Sequence, residues 1–281
     1  MYLKNLKTIT VVAIAALASL PASAGSLLFS TGNPDGLVGT ASEPSHTGRL
    51  ETETADDFIL TQESLIRGAT FIGLLPVGFS VNRVEIEFYG VFPFSSTNPP
   101  SGHVPTRTNS PSDVEIGSAT RDSSLSTLSF STSVLSANFT VANTVVNGIN
   151  PIPNQFTGGE GAATGQEVLF DVTFATAIDL LAGHYFFRPE VGLSSGDFLW
   201  LSASKPIVSP GTPFAGDLQS WIRNSSLSPD WLRIGTDITH QGPFNAAFSL
   251  TGDAVPEPST WMLLSGALGL LGLRKFARRR R

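Results

Sequence analysis

The sequence of 281 residues contains no cysteine. This absence excludes disulfide bonds and any metal site that depends on thiolate ligands. Small exported domains often need such cross-links, but a chain of this length can bury a sufficient hydrophobic core without them. The length fits one large domain or two small ones.

Basic residues are scarce in the central part of the chain. Of the 17 lysines and arginines, 2 lie before Gly25 and 6 lie after Val255, which leaves 9 basic residues against 22 acidic residues between these positions. This region therefore has a net charge near −13. Such a surface favours solubility and repels polyanions, so we predict no nucleic-acid partner.

A long apolar period of 3.6 residues is also absent, and no internal repeat is evident. Instead, Val84, Ile86 and Phe88 alternate with polar residues, and the same pattern recurs over 168–174. Alternation with one polar face is typical of half-buried strands. The further candidate strands are 57–60, 66–75, 126–141, 184–191, 198–202, 231–234 and 244–251.

Clusters of glycine, proline, serine and asparagine separate these candidates, with long irregular stretches at 93–113 and 143–165. The pattern predicts an all-β fold, an antiparallel β-sandwich of jelly-roll type with long Pro- and Gly-rich loops. One helical turn is expected over 217–223, where Leu218, Trp221 and Ile222 would share a face.

The first 24 residues have the pattern of a secretory signal peptide. Lys4 and Lys7 form the basic region, 9–20 is an apolar core, and Ala22 and Ala24 frame a small-residue cleavage site. We expect export through the Sec translocon and cleavage after Ala24, which is followed by Gly25.

The other end of the chain carries Pro256, Glu257 and Pro258, followed by an uncharged run over 261–273. Its large side chains are Trp261, Leu263, Leu264, Leu268, Leu270, Leu271 and Leu273. As a helix the run would be roughly 20 Å long, which is short for a membrane span. The basic residues that follow are Arg274, Lys275, Arg278, Arg279, Arg280 and Arg281. They would hold this end on the cytoplasmic side and leave the preceding chain outside.

This order of features resembles the PEP-CTERM sorting signal of Gram-negative bacteria. The resemblance implies that the Pro-Glu-Pro triplet is recognised by the membrane enzyme exosortase, that 261–273 is a transient anchor, and that the basic cluster stops transfer. It also implies a host that makes extracellular polysaccharide. Similar tails occur on unrelated proteins, including some named for ice binding, and an ordinary tail anchor is the alternative.

The central phrases 54–60, 104–113 and 211–223 resemble the central region of other exported PEP-CTERM proteins without assigned activity. The expected organisation is a signal peptide at 1–24, one β domain at 25–252 and the sorting signal at 253–281. We expect the protein at the cell envelope, the outer surface or in the extracellular matrix, anchored in the membrane before processing.

No catalytic residue is predicted. The segment 192–196 fits the Gly-x-Ser-x-Gly pattern of a nucleophile elbow at Ser194, and Asp237 and His240 follow in the chain order of a hydrolase. An elbow needs a helix after the serine, whereas 197–202 has the pattern of a strand. We therefore interpret 192–196 as a hairpin turn.

The sequence also contains few candidate metal ligands. None of the four histidines has the spacing of a zinc motif, so only the fold could bring zinc ligands together. Asp56 and Asp57 are weak candidates for a calcium site, and the preferred interpretation is a solvated acidic edge that discourages sheet-to-sheet pairing. No cofactor is otherwise expected.

Trp221 and Trp231 are candidates for stacking on a sugar ring, with burial in the core as the alternative. Two functions follow from the whole sequence. The first is a non-catalytic surface or matrix protein that binds polysaccharide or has a structural role. The second is an extracellular glycan hydrolase, which would need two carboxylates facing each other across a groove.

Overall fold

In a computed structural model of the chain, the described residues are 25–46, 48–92, 101–149, 156–203 and 219–255. Almost all regular structure in these ranges is β. The strands, in chain order, are β1 (Ser26–Ser30), β2 (Pro34–Ala41), β3 (Thr52–Leu60), β4 (Ser64–Leu75), β5 (Val81–Val91), β6 (Pro111–Arg121), β7 (Leu128–Val141), β8 (Asn143–Val145), β9 (Ala163–Leu180), β10 (Gly183–Leu193), β11 (Leu199–Ala203), β12 (Trp221–Asn224), β13 (Leu232–Arg233), β14 (Asn245–Ala246) and β15 (Phe248–Ala254).

These strands form two sheets. The nine-stranded sheet has the order β1-β15-β4-β11-β2-β8, with β9 joining β7 to β4 and β14 pairing with β11. The six-stranded sheet has the order β13-β12-β3-β10-β5-β6. The strand pairings are antiparallel except that of β2 with β8. The prediction of an all-β, mainly antiparallel architecture is therefore confirmed.

One aromatic core holds the two sheets together. Phe187 of the six-stranded sheet stacks on Phe248 of the nine-stranded sheet, with ring centroids 5.0 Å apart. Phe71 and Phe170 stack at 4.8 Å on the neighbouring strands β4 and β9. All four rings are buried, and each aromatic pair contributes about 0.5–1.5 kcal/mol beyond the area it buries.

The alternation in the sequence decides which side chains enter this core. Val84, Ile86 and Phe88 of β5 are 0% exposed, and Val168 and Phe170 of β9 are also fully buried. The intervening residues face away from the core because successive side chains of a strand point to opposite faces. The period-two prediction is confirmed for both strands.

Two local predictions are wrong. Residues 221–223, expected within the helical turn over 217–223, instead lie in β12, which pairs with β3. The described helical segment is instead a short π-helix over Ile234–Ile238. Within the predicted turn 192–196, the first two residues end β10 and the chain bends over 194–196. β10 belongs to the six-stranded sheet, and β11, which follows, belongs to the nine-stranded sheet. The turn is therefore a crossover between sheets and not a hairpin.

The two ends of the described chain lie side by side. Ser26 at the start of β1 pairs with Gly252 near the end of β15. The packing is tight, because a Cβ atom at Gly252 would lie 2.1 Å from the carbonyl oxygen of Leu65. Beyond β15, the amide of Val255 still donates to the carbonyl of Glu63 at 2.8 Å. The last described residue is thus fixed to the body.

Candidate functional site

The outward face of the six-stranded sheet carries a buried cluster of charged side chains. In β10, Phe187 and Val191 point into the core, so Arg188 and Glu190 point to the opposite face. Arg188 is 1% exposed and Glu190 is 0% exposed. Such burial is costly for charged groups unless they are paired, so the partners of these two residues define the site.

Arg188 lies among five glutamates. Four of them are largely covered, and the set Glu53, Glu85, Glu87, Arg188 and Glu190 is called the Arg188 cluster. The fifth, Glu51, lies 3.6 Å from Nη2 and is 44% exposed. Nη2 of Arg188 donates to Glu53 Oε1 at 2.8 Å and to Glu190 Oε2 at 2.5 Å. Nη1 lies 3.3 Å from Glu87 Oε2 and 3.6 Å from Glu85 Oε2. One guanidinium therefore faces the four carboxylates of the cluster as well as that of Glu51, and the cluster needs further positive charge.

Two more arginines supply part of that charge. Nε of Arg223 donates to Glu53, and its guanidinium lies over the ring of Trp231, 4.2 Å from the centroid. Nε of Arg83 lies 3.5 Å from Glu190 Oε1 at the other side of the cluster. Glu53 thus accepts hydrogen bonds from two arginines, whereas Glu190 accepts one from Arg188 and has its second arginine only at 3.5 Å.

The pKa values of the two carboxyls diverge for this reason. Burial opposes ionisation of Glu53, but Arg188 and Arg223 outweigh it and hold the pKa of Glu53 below its usual value. Burial dominates at Glu190 and raises its pKa to about 7, although Arg188 and Arg83 act in the opposite direction. One carboxylate is therefore held ionised, while its neighbour takes up a proton near neutral pH.

A groove of about 450 Å³ lies at the ends of β5, β9 and β10. His184 and Tyr185 line it together with Leu181, which is 64% exposed. His184 Nε2 lies 2.5 Å from Oδ2 of the buried Asp57. Burial raises the pKa of Asp57 to about 6, and the contact with His184 limits the rise. This groove is open and offers both apolar surface and hydrogen-bonding groups to a ligand.

The two tryptophans singled out as sugar-stacking candidates are not open to solvent. Trp221 and Trp231 are each 1% exposed and belong to an aromatic cluster with Tyr89 and Phe186. Tyr89 meets the edge of Trp231 at 5.8 Å, and Arg223 covers its face. The structure therefore places both indoles as packing residues, and neither ring offers an open face to a sugar.

The two calcium candidates point to opposite faces of β3. Asp56 accepts hydrogen bonds from Ser220 Oγ and from the amide of Ala246, both at 2.9 Å. Asp57 accepts from the amide of Gln219 at 2.9 Å and contacts His184. The two carboxylates do not converge on one cation, and β3 lies inside the sheet between β12 and β10. The alternative of a solvated acidic edge is wrong for the same reason.

The serine candidate also lacks the geometry of a nucleophile. Ser194 lies in the exposed turn between β10 and β11, and a strand follows where an elbow requires a helix. Asp237 is engaged by Arg233, whose Nη2 lies 2.7 Å from Asp237 Oδ1. The ring of His240 packs on Phe156 with centroids 3.7 Å apart.

The predicted targeting signals lie outside the described residues. This applies to Ala22 and Ala24 of the signal peptide, to the Pro-Glu-Pro triplet 256–258, to the apolar run 261–273 and to the basic cluster 274–281. Within the described ranges, no helix is long and apolar enough to span a membrane.

The C-terminus nevertheless gives a family match. The class indicated is that of exported proteins sorted to the cell surface through a C-terminal signal. Residues 254–281 match the family model of the PEP-CTERM protein-sorting motif, which confirms the resemblance and indicates sorting by an exosortase system. The match covers about a tenth of the chain. Comparison with curated proteins and with solved structures gives no match.

Sequence reasoning missed the Arg188 cluster and the groove beside His184. The alternating glutamates of β5 are visible in the sequence, but the alternation indicates only a half-buried strand with one polar face. Arg188 stands alone between Phe187 and Pro189, and no local pattern links it to Glu53, which lies 135 positions earlier. One feature of the sequence could have indicated the cluster. Arg188 and Glu190 are two residues apart in a predicted strand and therefore lie on the same face of it.

Proposed function

We propose that this protein is a non-catalytic surface or matrix component with a binding or structural role in extracellular polysaccharide. In this proposal the two sheets form a jelly-roll-type sandwich, one domain over 25–252. The chain passes through the Sec translocon of a Gram-negative bacterium and is anchored in the membrane until exosortase processes it. The observation that carries the proposal is the PEP-CTERM motif at 254–281.

The connection between the motif and the body supports this proposal. The motif begins on the last residue of β15, which lies between β1 and β4 in the nine-stranded sheet. Val255 is still hydrogen-bonded to Glu63, so the sorting triplet follows the folded body without a described linker. A body held this close to its signal is suited to display on a surface.

The expected ligand follows from charge and from the groove. A body with a net charge near −13 repels polyanions, so a neutral or cationic polysaccharide fits better than an acidic one. His184 and Tyr185 can hydrogen-bond sugar hydroxyls, and Leu181 can cover an apolar sugar edge. The groove is therefore the proposed contact site for the polysaccharide.

The sorting part of the proposal is tested by the intact mass of the protein recovered from the cell surface and the medium. With exosortase present, we expect a mass that lacks both the first 24 residues and the end of the chain. In cells without exosortase, we expect the C-terminal segment to be retained. A tail retained in both strains would show an ordinary membrane anchor and contradict this part of the proposal.

The binding part is tested by co-sedimentation of the full chain with polysaccharide from the same cells. His184→Gln keeps a hydrogen-bond donor for Asp57 but changes the groove, and we expect it to lower the affinity about tenfold, the loss of roughly one hydrogen bond. His103→Gln, a change at an exposed histidine outside the groove, is the control. Equal binding by both variants and the unchanged chain would contradict a contact at the groove.

A second candidate, a glycan hydrolase, is favoured by the divergent pKa values in the Arg188 cluster. Glu53 and Glu190 both bind Nη2 of Arg188, so two of their oxygens lie within the roughly 5 Å at which paired carboxylates act in retaining glycoside hydrolases. Their burial argues for the first candidate. Release of new reducing ends in the same incubation, abolished in Glu53→Gln, would favour the hydrolase instead.

A further inference from the structure

Two crossovers between the sheets meet at a group of three side chains. The chain passes from the nine-stranded to the six-stranded sheet between β2 and β3, and this connection carries Glu43 and His46. It returns to the nine-stranded sheet between β10 and β11, and this connection carries Asp197. The amide of Val191, near the end of β10, donates to the carbonyl of Ser42 at 3.0 Å, which holds the first crossover beside the strand that leads into the second.

The three side chains converge with the spacing of metal ligands. His46 Nε2 lies 3.3 Å from Glu43 Oε1 and 3.6 Å from Asp197 Oδ1. One ligand atom from each residue lies within 4.8 Å of the other two. Tetrahedral ligands at about 2.1 Å from zinc are roughly 3.4 Å apart, so a small cation can lie between these atoms with little movement.

Each of the two carboxylates has one oxygen near His46. The other oxygen accepts a hydrogen bond from a different donor. The amide of Phe198 donates to Glu43 Oε2 at 3.1 Å, and Nη2 of Arg49 donates to Asp197 Oδ2 at 2.8 Å. Outer hydrogen bonds of this kind orient ligands in metal sites. They leave Glu43 Oε1 and Asp197 Oδ1 turned towards the same imidazole.

The charge at this position also favours a cation. Glu43 is only 3% exposed, and its Oε1 and Asp197 Oδ1 both lie within 4 Å of the same imidazole nitrogen. Arg49 pairs with Oδ2 of Asp197 and does not contact the oxygen that faces His46. A bound cation would offset the electrostatic repulsion between the two carboxylates. This explains how they can lie close together at the crossovers.

We propose that Glu43, His46 and Asp197 bind one divalent transition-metal ion of the zinc class, which joins the two crossovers. An imidazole nitrogen with two carboxylates suits zinc, whereas calcium prefers an all-oxygen set. The side chains of His46 and Asp197 are 39% and 27% exposed, which leaves the fourth position open to water. In a chain without cysteine, this ion takes the stabilising role that disulfides have in other exported domains.

The test uses the full chain, purified without a histidine tag and treated with EDTA. Calorimetric titration with zinc is expected to show one site per chain. At a hundredfold excess over Kd, zinc should raise the midpoint of thermal unfolding by about 5–10 °C. The same titration with calcium is expected to produce no shift.

Two variants and one control locate the site. His46→Ala and, independently, Asp197→Asn should lower zinc affinity on the order of a hundredfold. His103→Ala, at an exposed histidine of another loop, should bind as the unchanged chain does. Zinc binding that is equal in both site variants and the control, binding without a rise in the midpoint, or stabilisation by calcium and not by zinc would each overturn the proposal. Because Asp197→Asn keeps the shape of the side chain, it remains informative if His46→Ala does not fold.

Discussion

Replacement of Arg188 by methionine is expected to lower the free energy of unfolding by about 3–5 kcal/mol. Methionine keeps an unbranched apolar side chain in place but removes the guanidinium that contacts Glu53, Glu87 and Glu190. These carboxylates would then be buried without their common partner, which is more costly than the absence of the whole cluster. Urea unfolding of the full chain, followed by tryptophan fluorescence, measures the change.

The matched control is Arg67→Met. Arg67 is likewise an arginine in an ion pair, but its partner is the single acidic residue Asp253, at 2.6 Å. This pair is 50% and 43% exposed, so its loss should cost less than about 1 kcal/mol. The destabilisation by Arg188→Met should also be larger at about pH 8 than at about pH 5, since protonation relieves the unpaired carboxylates at the lower pH. Equal effects of the two substitutions would show that the Arg188 cluster does not stabilise the fold.

The sequence predicted best those strands that have a regular apolar face. The sequence predicts β4, β5, β9 and β10, because each contains several buried β-branched or aromatic residues, which in β5 and β9 recur at every second position. β1, β2 and β6 were missed. β1 is only five residues long, and β2 and β6 contain glycine. The place of these strands in the sheets depends on partners far along the chain, as for β1 with β15.

The two polar strand faces show why the site could not be predicted. In β9, Asp171 and Thr173 are exposed, as the alternation suggested. In β5, Glu85 and Glu87 alternate in the same way but are largely covered, with 16% and 14% of their side chains exposed. The difference arises from Arg188 on the neighbouring strand, which pairs with both glutamates. Arg188 is far from them in sequence, and alternation by itself cannot distinguish a solvated face from a covered one.

The turn at 192–196 is a related case. Its glycines and serines predicted a change of direction, and the chain does turn there. Whether the next strand returns to the same sheet depends on pairing, and β11 pairs with β2 and β4 rather than with β10. This outcome places Asp197 beside Glu43, so the proposed metal site arises from the same non-local choice.

Glu190→Gln is expected to remove part of the pH dependence of stability. The pKa of Glu190 is raised from 4.5 to about 7 in the folded chain by burial, against the charges of Arg188 and Arg83 and together with those of Glu85 and Glu51. A raised pKa means that the contribution of Glu190 is fully present below pH 4.5 and is lost as the pH rises through about 7. The size of this loss is roughly 3 kcal/mol, and glutamine, which does not ionise, should abolish it.

The measurement is the free energy of unfolding of the full chain in urea at pH 4.5 and at about pH 8. The unchanged chain should lose more stability over this interval than the Glu190→Gln chain, by roughly 3 kcal/mol. Glu115→Gln, at an exposed carboxylate of the same sheet, is the control and should behave as the unchanged chain. If the Glu190→Gln chain retained the full pH dependence, the result would show that the folded state does not oppose ionisation of Glu190. The contrast with Glu53, on which the hydrolase alternative depends, would then disappear, because two carboxylates that are both ionised at neutral pH cannot divide the roles of acid and base.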